Sequence, residues 1–430
     1  MRYTEIILPF KIKSGILALG AQSKASFCFA RGGIAYLSDS AGELSDFGNF
    51  KKFEKQIKLL QKKFKIRPDV IACDLHPEYV STKYALRMTD DDRKESRAKP
   101  RGGRRPKGVP SPSASLGINS AEGRTTKLVL KKIQHHEAHV ASCITDNNIK
   151  SEVIGVAFDG TGFGLDGSIW GGEFFVGGIK GLKRAAYLKY IPMPGGEACV
   201  KEPWRMAFSY IYAVYGKKGL ASLGELGTSL DIMSSAASSR PFFGKGGASP
   251  AMTDNKDILF QMIDRKINSP LTSSMGRLFD GVSALIGICR FAGYEGEAAI
   301  GLEKIIAGTE YIAKRKYSFK YKNENEIIII DWEPVIKGIV EDFKKGVDKP
   351  EISIKFHNAI CDMIKETCNL LKKKYKIEQV CMSGGVFQNK YLSSRIKPML
   401  EEEGFGVYLH RNVPTHDGGI ALGQVVLAGV

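Results

Sequence analysis

Residues 153–174 read VIGVAFDGTGFGLDGSIWGGEF, and the fold class turns on them. Ile154-Gly155-Val156-Ala157-Phe158 is a short apolar run of the kind that makes a buried strand. Glycine-rich turns follow, and then a second strand around Trp170 to Val176. Residues 162–167 match G-x-G-x-x-G in form, but a strand follows the glycines where a Rossmann unit needs a helix. The stretch is therefore a glycine-rich hairpin. Its backbone N–H groups can approach phosphate oxygens, and Asp159 can orient a metal or a water. An ordinary hairpin is the competing reading.

Upstream, Ile16–Leu19, Ser26–Phe29 and Ile34–Leu37 are expected as three short strands, with Gly32-Gly33 turning between the last two. Residues 51–64 show helical spacing of Phe53, Ile57, Leu60 and Phe64, and residues 69–73 read as a strand. Residues 88–126 break the pattern. Arg101-Gly102-Gly103-Arg104-Arg105-Pro106 and Pro110-Ser111-Pro112-Ser113 have the composition of a disordered surface insertion. Downstream, 203–310 is mainly helical and 327–330 is a β-branched run. Helices at 350–374, 389–401 and 418–428 then alternate with strands at 378–382 and 406–409. Meanders with crossover helices indicate α/β architecture. A chain of 430 residues exceeds one core, so two lobes are expected, 1–150 and 151–430.

Composition excludes several classes. No apolar run approaches a membrane span, and the first residues lack a secretory leader, so a cytoplasmic, non-membrane location is the expectation. Eight cysteines are scattered without a C-x-x-C pair, which argues against a zinc finger or a thioredoxin-like motif. The net charge of +17 raises nucleic acid as a partner. However, residues 91–132 alone hold twelve Lys or Arg against four Asp or Glu, and no nucleic-acid fold motif accompanies them. Neither a P-loop nor a Ser-His-Asp arrangement is recognisable.

Three of the chain's seven histidines lie in His135-His136-Glu137-Ala138-His139. On a helix His135 and His139 share a face and can grip one metal ion, while His136 points elsewhere. A carboxylate is the natural third ligand for iron or zinc. Asp417, in Pro414-Thr415-His416-Asp417-Gly418-Gly419, is the candidate, although a helix cap explains it equally well. Met382-Ser383-Gly384-Gly385-Val386-Phe387-Gln388-Asn389 joins a strand to a helix. Its amides can bind an anion or nucleotide, with Asn389 as a hydrogen-bonding partner, or it is a common Gly-Gly turn. Arg205 opens a helix after Pro203 and can hold a carboxylate, carbamate or phosphate, or lie on the surface. Asp280 can accept from a ribose or face solvent.

Taken together, these stretches resemble the C-terminal module of HypF-type carbamoyltransferases. The matching segments are 16–29, 72–85, 133–142, 153–174, 192–207, 272–280, 294–299, 382–389 and 413–424, in the family's order and across nearly the whole chain. The resemblance implies the actin-like ATPase superfold, with two ribonuclease-H-like lobes around a nucleotide and metal cleft. It implies His135, His139 and Asp417 as ligands of one divalent ion, iron or zinc. It places Asp159, Gly160, Thr161 and Gly162 on the phosphate or carbamoyl site, and Asp280, Gly384, Gly385 and Asn389 on a bound nucleotide such as ATP, AMP or carbamoyl-adenylate. Asp159 and Arg205 are the candidate catalytic groups. Glu197, Lys201 and His416 depart from the family's expected Asp, Arg and Asn, and the 88–126 insertion also looks foreign to it.

The implied reaction moves a carbamoyl group from carbamoyl-adenylate to the C-terminal cysteine of HypE during nickel–iron hydrogenase maturation. The family's acylphosphatase-like, zinc-finger and YrdC-like modules have no counterpart in these residues. A separate YrdC-like or acylphosphatase-like protein is therefore the expected source of carbamoyl-adenylate. Two rival readings are a non-catalytic nucleotide-binding scaffold and a small-molecule O-carbamoyltransferase.

Overall fold

A computed structural model describes residues 2–98, 128–221, 254–306 and 317–430. Two sheets organise these residues. The first contains β1 (Tyr3–Ala18), β2 (Cys28–Ser38), β3 (Val70–Asp74) and β4 (Val129–Ile133) in the order β2-β1-β3-β4. β1 and β2 are antiparallel, whereas β3 and β4 run parallel to β1. Helix α1 (Phe47–Phe64) buries Phe53, Ile57 and Leu60, the apolar stripe its spacing predicts. Helix α2 (Val80–Ala98) follows β3, and α3 (His135–Asp146) follows β4.

The second sheet opens with an antiparallel meander of β5 (Val153–Phe163), β6 (Ile169–Gly178) and β7 (Gly181–Leu188). Two short strands, β8 (Ile191–Pro192) and β9 (Leu271–Thr272), pair beside β6. β10 (Lys320–Glu324) and β11 (Ile327–Asp331) extend the sheet beyond β7. β12 (Gln379–Ser383) and β13 (Gly406–Tyr408) extend it beyond β5 with parallel pairing. Each sheet thus joins an antiparallel start to parallel strands that enter through crossover helices, which is α/β architecture.

Helices α4 (Ala198–Lys201), α5 (Trp204–Ala221), α6 (Asp254–Asp264), α7 (Met275–Leu285) and α8 (Glu297–Lys304) lie between β8 and β10 in the chain. α9 (Glu333–Lys344), α10 (Lys349–Tyr375), α11 (Lys390–Glu401) and α12 (Ile420–Gly429) complete the set. The largest apolar core joins β5, β6 and β7 to α5, α7, α9 and α10. The C-terminal α12 returns to the first sheet, where Ile420, Leu422, Val425 and Val426 pack with Ile12, Ile16 and Ala18.

Two sequence expectations change. Residues 16–38 form parts of two strands, since 26–29 and 34–37 belong to one run in which only Ser26 and Phe27 precede β2. Gly32 has φ 64° and pairs with Ile12, where the register shifts. A glycine with positive φ in a strand makes a bulge as readily as a turn, and the two readings are alike in sequence. Helix also continues through 88–98, into the stretch read as an insertion. Tyr84, Ala85 and Met88 anchor it in the core, and residues 80–98 hold neither Gly nor Pro to stop it. Residues 99–126 of that stretch lie outside the described residues.

Candidate metal centre between the two sheets

The two histidines sit at the first turns of α3, the helix that links the sheets along the chain. Gln134 caps this helix, its side-chain oxygen accepting from the Glu137 N–H at 2.9 Å. Four residues apart, His135 and His139 project from one face, and both are buried. Asp159 reaches them from β5. Between Phe158 and Gly162 four steps of β5 oppose two of β6, so Asp159, Gly160 and Thr161 leave the ladder. Asp417 arrives from the short 3-10 turn Asp417–Gly419 that precedes α12.

These residues converge. One ligand atom from each of His135, His139, Asp159 and Asp417 lies within 4.8 Å of the others. Nε2 of His135 is 3.4 Å from Oδ2 of Asp159 and 3.7 Å from Oδ1 of Asp417. Nε2 of His139 is 3.6 Å from each of the same two atoms. His139 Nε2 is buried and has no hydrogen-bond partner. Nitrogen lone pairs and carboxylate oxygens facing one point fit a divalent ion of the iron or zinc kind.

The electrostatics match that geometry. Burial alone would push the His135 imidazole down, but Asp74, Asp159 and Asp417 hold it well above its ordinary value. Burial would raise the Asp159 carboxyl, yet His135 and His139 keep it well below the usual carboxylate range. Burial and Asp159 both press the Asp417 carboxyl upward, and the same two imidazoles outweigh them. His135 is oriented by Asp74, whose Oδ2 lies 2.8 Å from His135 Nδ1. Asp159 is oriented by the Gly385 N–H, which donates to its Oδ1 at 3.0 Å. That bond needs the Gly-Gly turn. Gly384 has φ 107°, and a side chain on it would meet the Phe158 carbonyl oxygen.

The other candidates take varied places around this centre. Asp417 does not cap the C-terminal helix, whose N-cap position is Gly419; His416 caps the 3-10 turn before it by accepting from the Gly418 N–H at 3.1 Å. An Asn side chain can accept in the same way, so the departure at 416 leaves the cap intact. His136 is buried and accepts at Nδ1 from Gln134 at 3.3 Å, while its Nε2 has no hydrogen-bond partner. Gly160 and Thr161 line the bulge, and Ser274 Oγ lies 2.7 Å from the Gly160 carbonyl oxygen. Gly162 packs against the His135 and His136 rings. Asn389 caps α11 through Leu392 and donates to His357 at 3.0 Å. Asp280 is buried and paired with Arg277 at 3.0 Å, and burial raises its carboxyl to about 6. Arg205 pairs with Glu202 and lies over Trp204, not against the cluster.

Asp74, Ser383 and His410 carry no local signal that would single them out as parts of a site. Asp74 and Ser383 lie within the motif segments 72–85 and 382–389. Nothing in the sequence marks His410.

Known proteins share this arrangement of chain. Residues 11–146 match the HypF Kae1-like domain, and residues 155–424 match the second subdomain of the carbamoyltransferase Kae1-like domain. The carbamoyltransferase HypF of Synechocystis sp. is 30% identical over 422 residues, covering 98% of this chain and 48% of that protein. A carbamoyltransferase HypF homolog of Cupriavidus necator is 26% identical over 421 residues, covering 96% of this chain and 91% of that protein. A crystal structure of full-length HypF in the phosphate- and nucleotide-bound form superposes with a TM-score of 0.79 at 34% identity. It covers 99% of this chain and 47% of that one. The chain therefore spans about half the length of the full-size HypF relatives it matches.

Proposed function

Since the chain belongs to the HypF family through its Kae1-like, actin-like ATPase domains, we propose that it transfers a carbamoyl group from carbamoyl-adenylate to the C-terminal cysteine of HypE in nickel–iron hydrogenase maturation. The observation that carries this reading is the convergence of His135, His139, Asp159 and Asp417 in a chain whose two halves both match the family. His135, His139 and Asp417 hold the divalent ion, with Asp159 beside them. A bound iron or zinc ion supplies Lewis-acid polarisation of a carbonyl.

The chain's own residues do the positioning. Gly160 and Thr161 present backbone to the carbamoyl and phosphate groups, because the β5 bulge frees 159–161 from the ladder, and Gly162 is assigned to the same site where the ladder resumes opposite Trp170. Gly384, Gly385, Asn389 and Asp280 belong to the nucleotide side of the cleft, and Arg205 is assigned to an anionic group of the substrate. Burial of the histidine face excludes water, which would otherwise hydrolyse an activated carbamoyl group. The HypE thiolate attacks the carbamoyl carbon. A C–S bond forms, the anhydride C–O bond breaks, and AMP leaves with the electron pair. Carbamoyl-adenylate comes from a YrdC-like activity.

Intact-mass measurement of HypE tests this. HypE incubated with the chain and pre-formed carbamoyl-adenylate should gain one carbamoyl group on its terminal cysteine, and HypE lacking that cysteine should not. Unchanged HypE, with the nucleotide bound but not cleaved, would instead indicate a non-catalytic scaffold.

A further inference from the structure

The two histidines of the centre are supported differently. His135 has its carboxylate directly, through the 2.8 Å contact with Asp74. Behind His139 lies a longer chain of groups. Oγ of Ser383 is 3.2 Å from Nδ1 of His139 and 2.9 Å from Nε2 of His410. Nδ1 of His410 in turn faces Oδ2 of Asp146 at 3.6 Å. The side chains of His410 and Asp146 are 4% and 0% exposed, and Ser383 is fully buried, so water does not compete for these contacts.

The hydrogen positions follow from counting. A histidine that ligates through Nε2 carries its hydrogen on Nδ1. His139 therefore donates to Ser383 Oγ. The hydroxyl has one hydrogen of its own, and its nearer acceptor is His410 Nε2, since the Thr415 carbonyl oxygen is 3.4 Å away. His410 is then left with its hydrogen on Nδ1, directed at Asp146. At 3.6 Å that last contact is longer than a hydrogen bond and acts as charge facing a polar N–H. Asp146 is held in place, because it also accepts from the backbone N–H groups of Arg411 at 2.6 Å and Asn412 at 3.0 Å.

We propose that Asp146, His410 and Ser383 form a buried relay that fixes the Nδ1–H tautomer of His139 and strengthens its donation to the metal, as Asp74 does directly for His135. All three are positioning residues. The inference rests on the metal reading of the four-residue centre. It adds a dependence that the centre alone does not have: affinity for the ion should respond to His410, a residue two contacts away from His139. Groups behind a ligating imidazole typically change metal affinity by about 10- to 100-fold.

The test uses the full chain and cobalt(II), with affinity from chelator competition and ligand field from the visible absorption bands. Ser383→Ala and His410→Ala should each weaken cobalt binding by about 10- to 100-fold and shift the bands. His410→Gln, whose amide oxygen can still accept from Ser383, should recover much of the loss. Thermal midpoints of the metal-free variants report folding. Ser383→Ala removes a single oxygen, so it decides the case if His410→Ala does not fold. Wild-type affinity and bands in Ser383→Ala would overturn the relay while leaving the centre intact. Equal cobalt binding by the wild type and His139→Ala would overturn the centre and the relay together.

Discussion

Nδ1 of His135 donates to Oδ2 of Asp74 at 2.8 Å, and neither side chain is exposed. The bond ties the end of β3 to the first turn of α3 and turns His135 Nε2 toward Asp159 and Asp417. Asp74→Ala should therefore weaken metal binding by about 10- to 100-fold, and Asp74→Asn by less, because its amide oxygen still accepts. Chelator competition measures both. Undiminished affinity in Asp74→Ala would show that the helix alone orients the imidazole.

His139→Ala should remove most of the bound metal, since it takes one of the two nitrogen donors from a buried site. Metal content per chain after gel filtration checks this. Full retention would exclude His139 as a ligand.

Asp146 gives a pH prediction. Burial would raise its carboxyl, but His410 and the Arg411 and Asn412 amides lower it to about 2. A depressed carboxyl stabilises the fold above its unfolded value near 4, and this contribution is lost as pH falls from about 4 to about 2. Its size is on the order of 2 kcal/mol, because each tenfold change in proton affinity is worth about 1.4 kcal/mol. The gap in thermal midpoint between the wild type and Asp146→Asn should be widest above about pH 5 and should close on acidification. A gap that stays constant down to about pH 2.5 would refute the assignment.

Glu173 should be a strong determinant of stability. It is fully buried and pairs with Arg184 at 2.6 Å, and it accepts from Ser273 and from the Gly171 and Gly172 amides. Arg184 lies 3.8 Å from the Trp170 ring centre and cannot readily leave. Glu173→Ala should cost about 3 kcal/mol, because Arg184 loses its close carboxylate and keeps only the more distant Asp166 at 3.7 Å. Chemical denaturation measures the loss, and a loss below about 1 kcal/mol would contradict the pairing.

Elements with strong local signals were legible in the sequence. Phe53, Ile57 and Leu60 mark α1 by spacing, and Ile154–Phe158 marks β5 by its apolar run. The pairing of His135 with His139 was legible for the same reason, since four residues make about one helical turn. Asp159 could be seen as polar and glycine-flanked, but its place beside the histidines depends on a two-residue bulge set by pairing with β6. Asp417 was ambiguous because a helix cap and a ligand look alike in sequence. In the structure Gly419 stands at the N-cap of α12, and Asp417 lies in the 3-10 turn before it, which His416 caps. Asp74 and Ser383 stand 61 and 244 positions from their histidine partners in the chain, His410 meets Ser383 from 27 positions away, and no local pattern reports such distances. The turn expected at Gly32-Gly33 failed because positive φ does not distinguish a bulge from a turn.

Both the proposed transfer and the proposed relay require one ion seated among His135, His139, Asp159 and Asp417, whose ligand atoms converge. The decisive measurement is anomalous diffraction at the metal's absorption edge, from a crystal of the full chain grown with zinc or iron. One strong peak is expected, bounded by Nε2 of both histidines and an oxygen of Asp417, with the Asp159 carboxylate beside it. A peak elsewhere, with these four side chains arranged as they are and no ion among them, would contradict the metal reading.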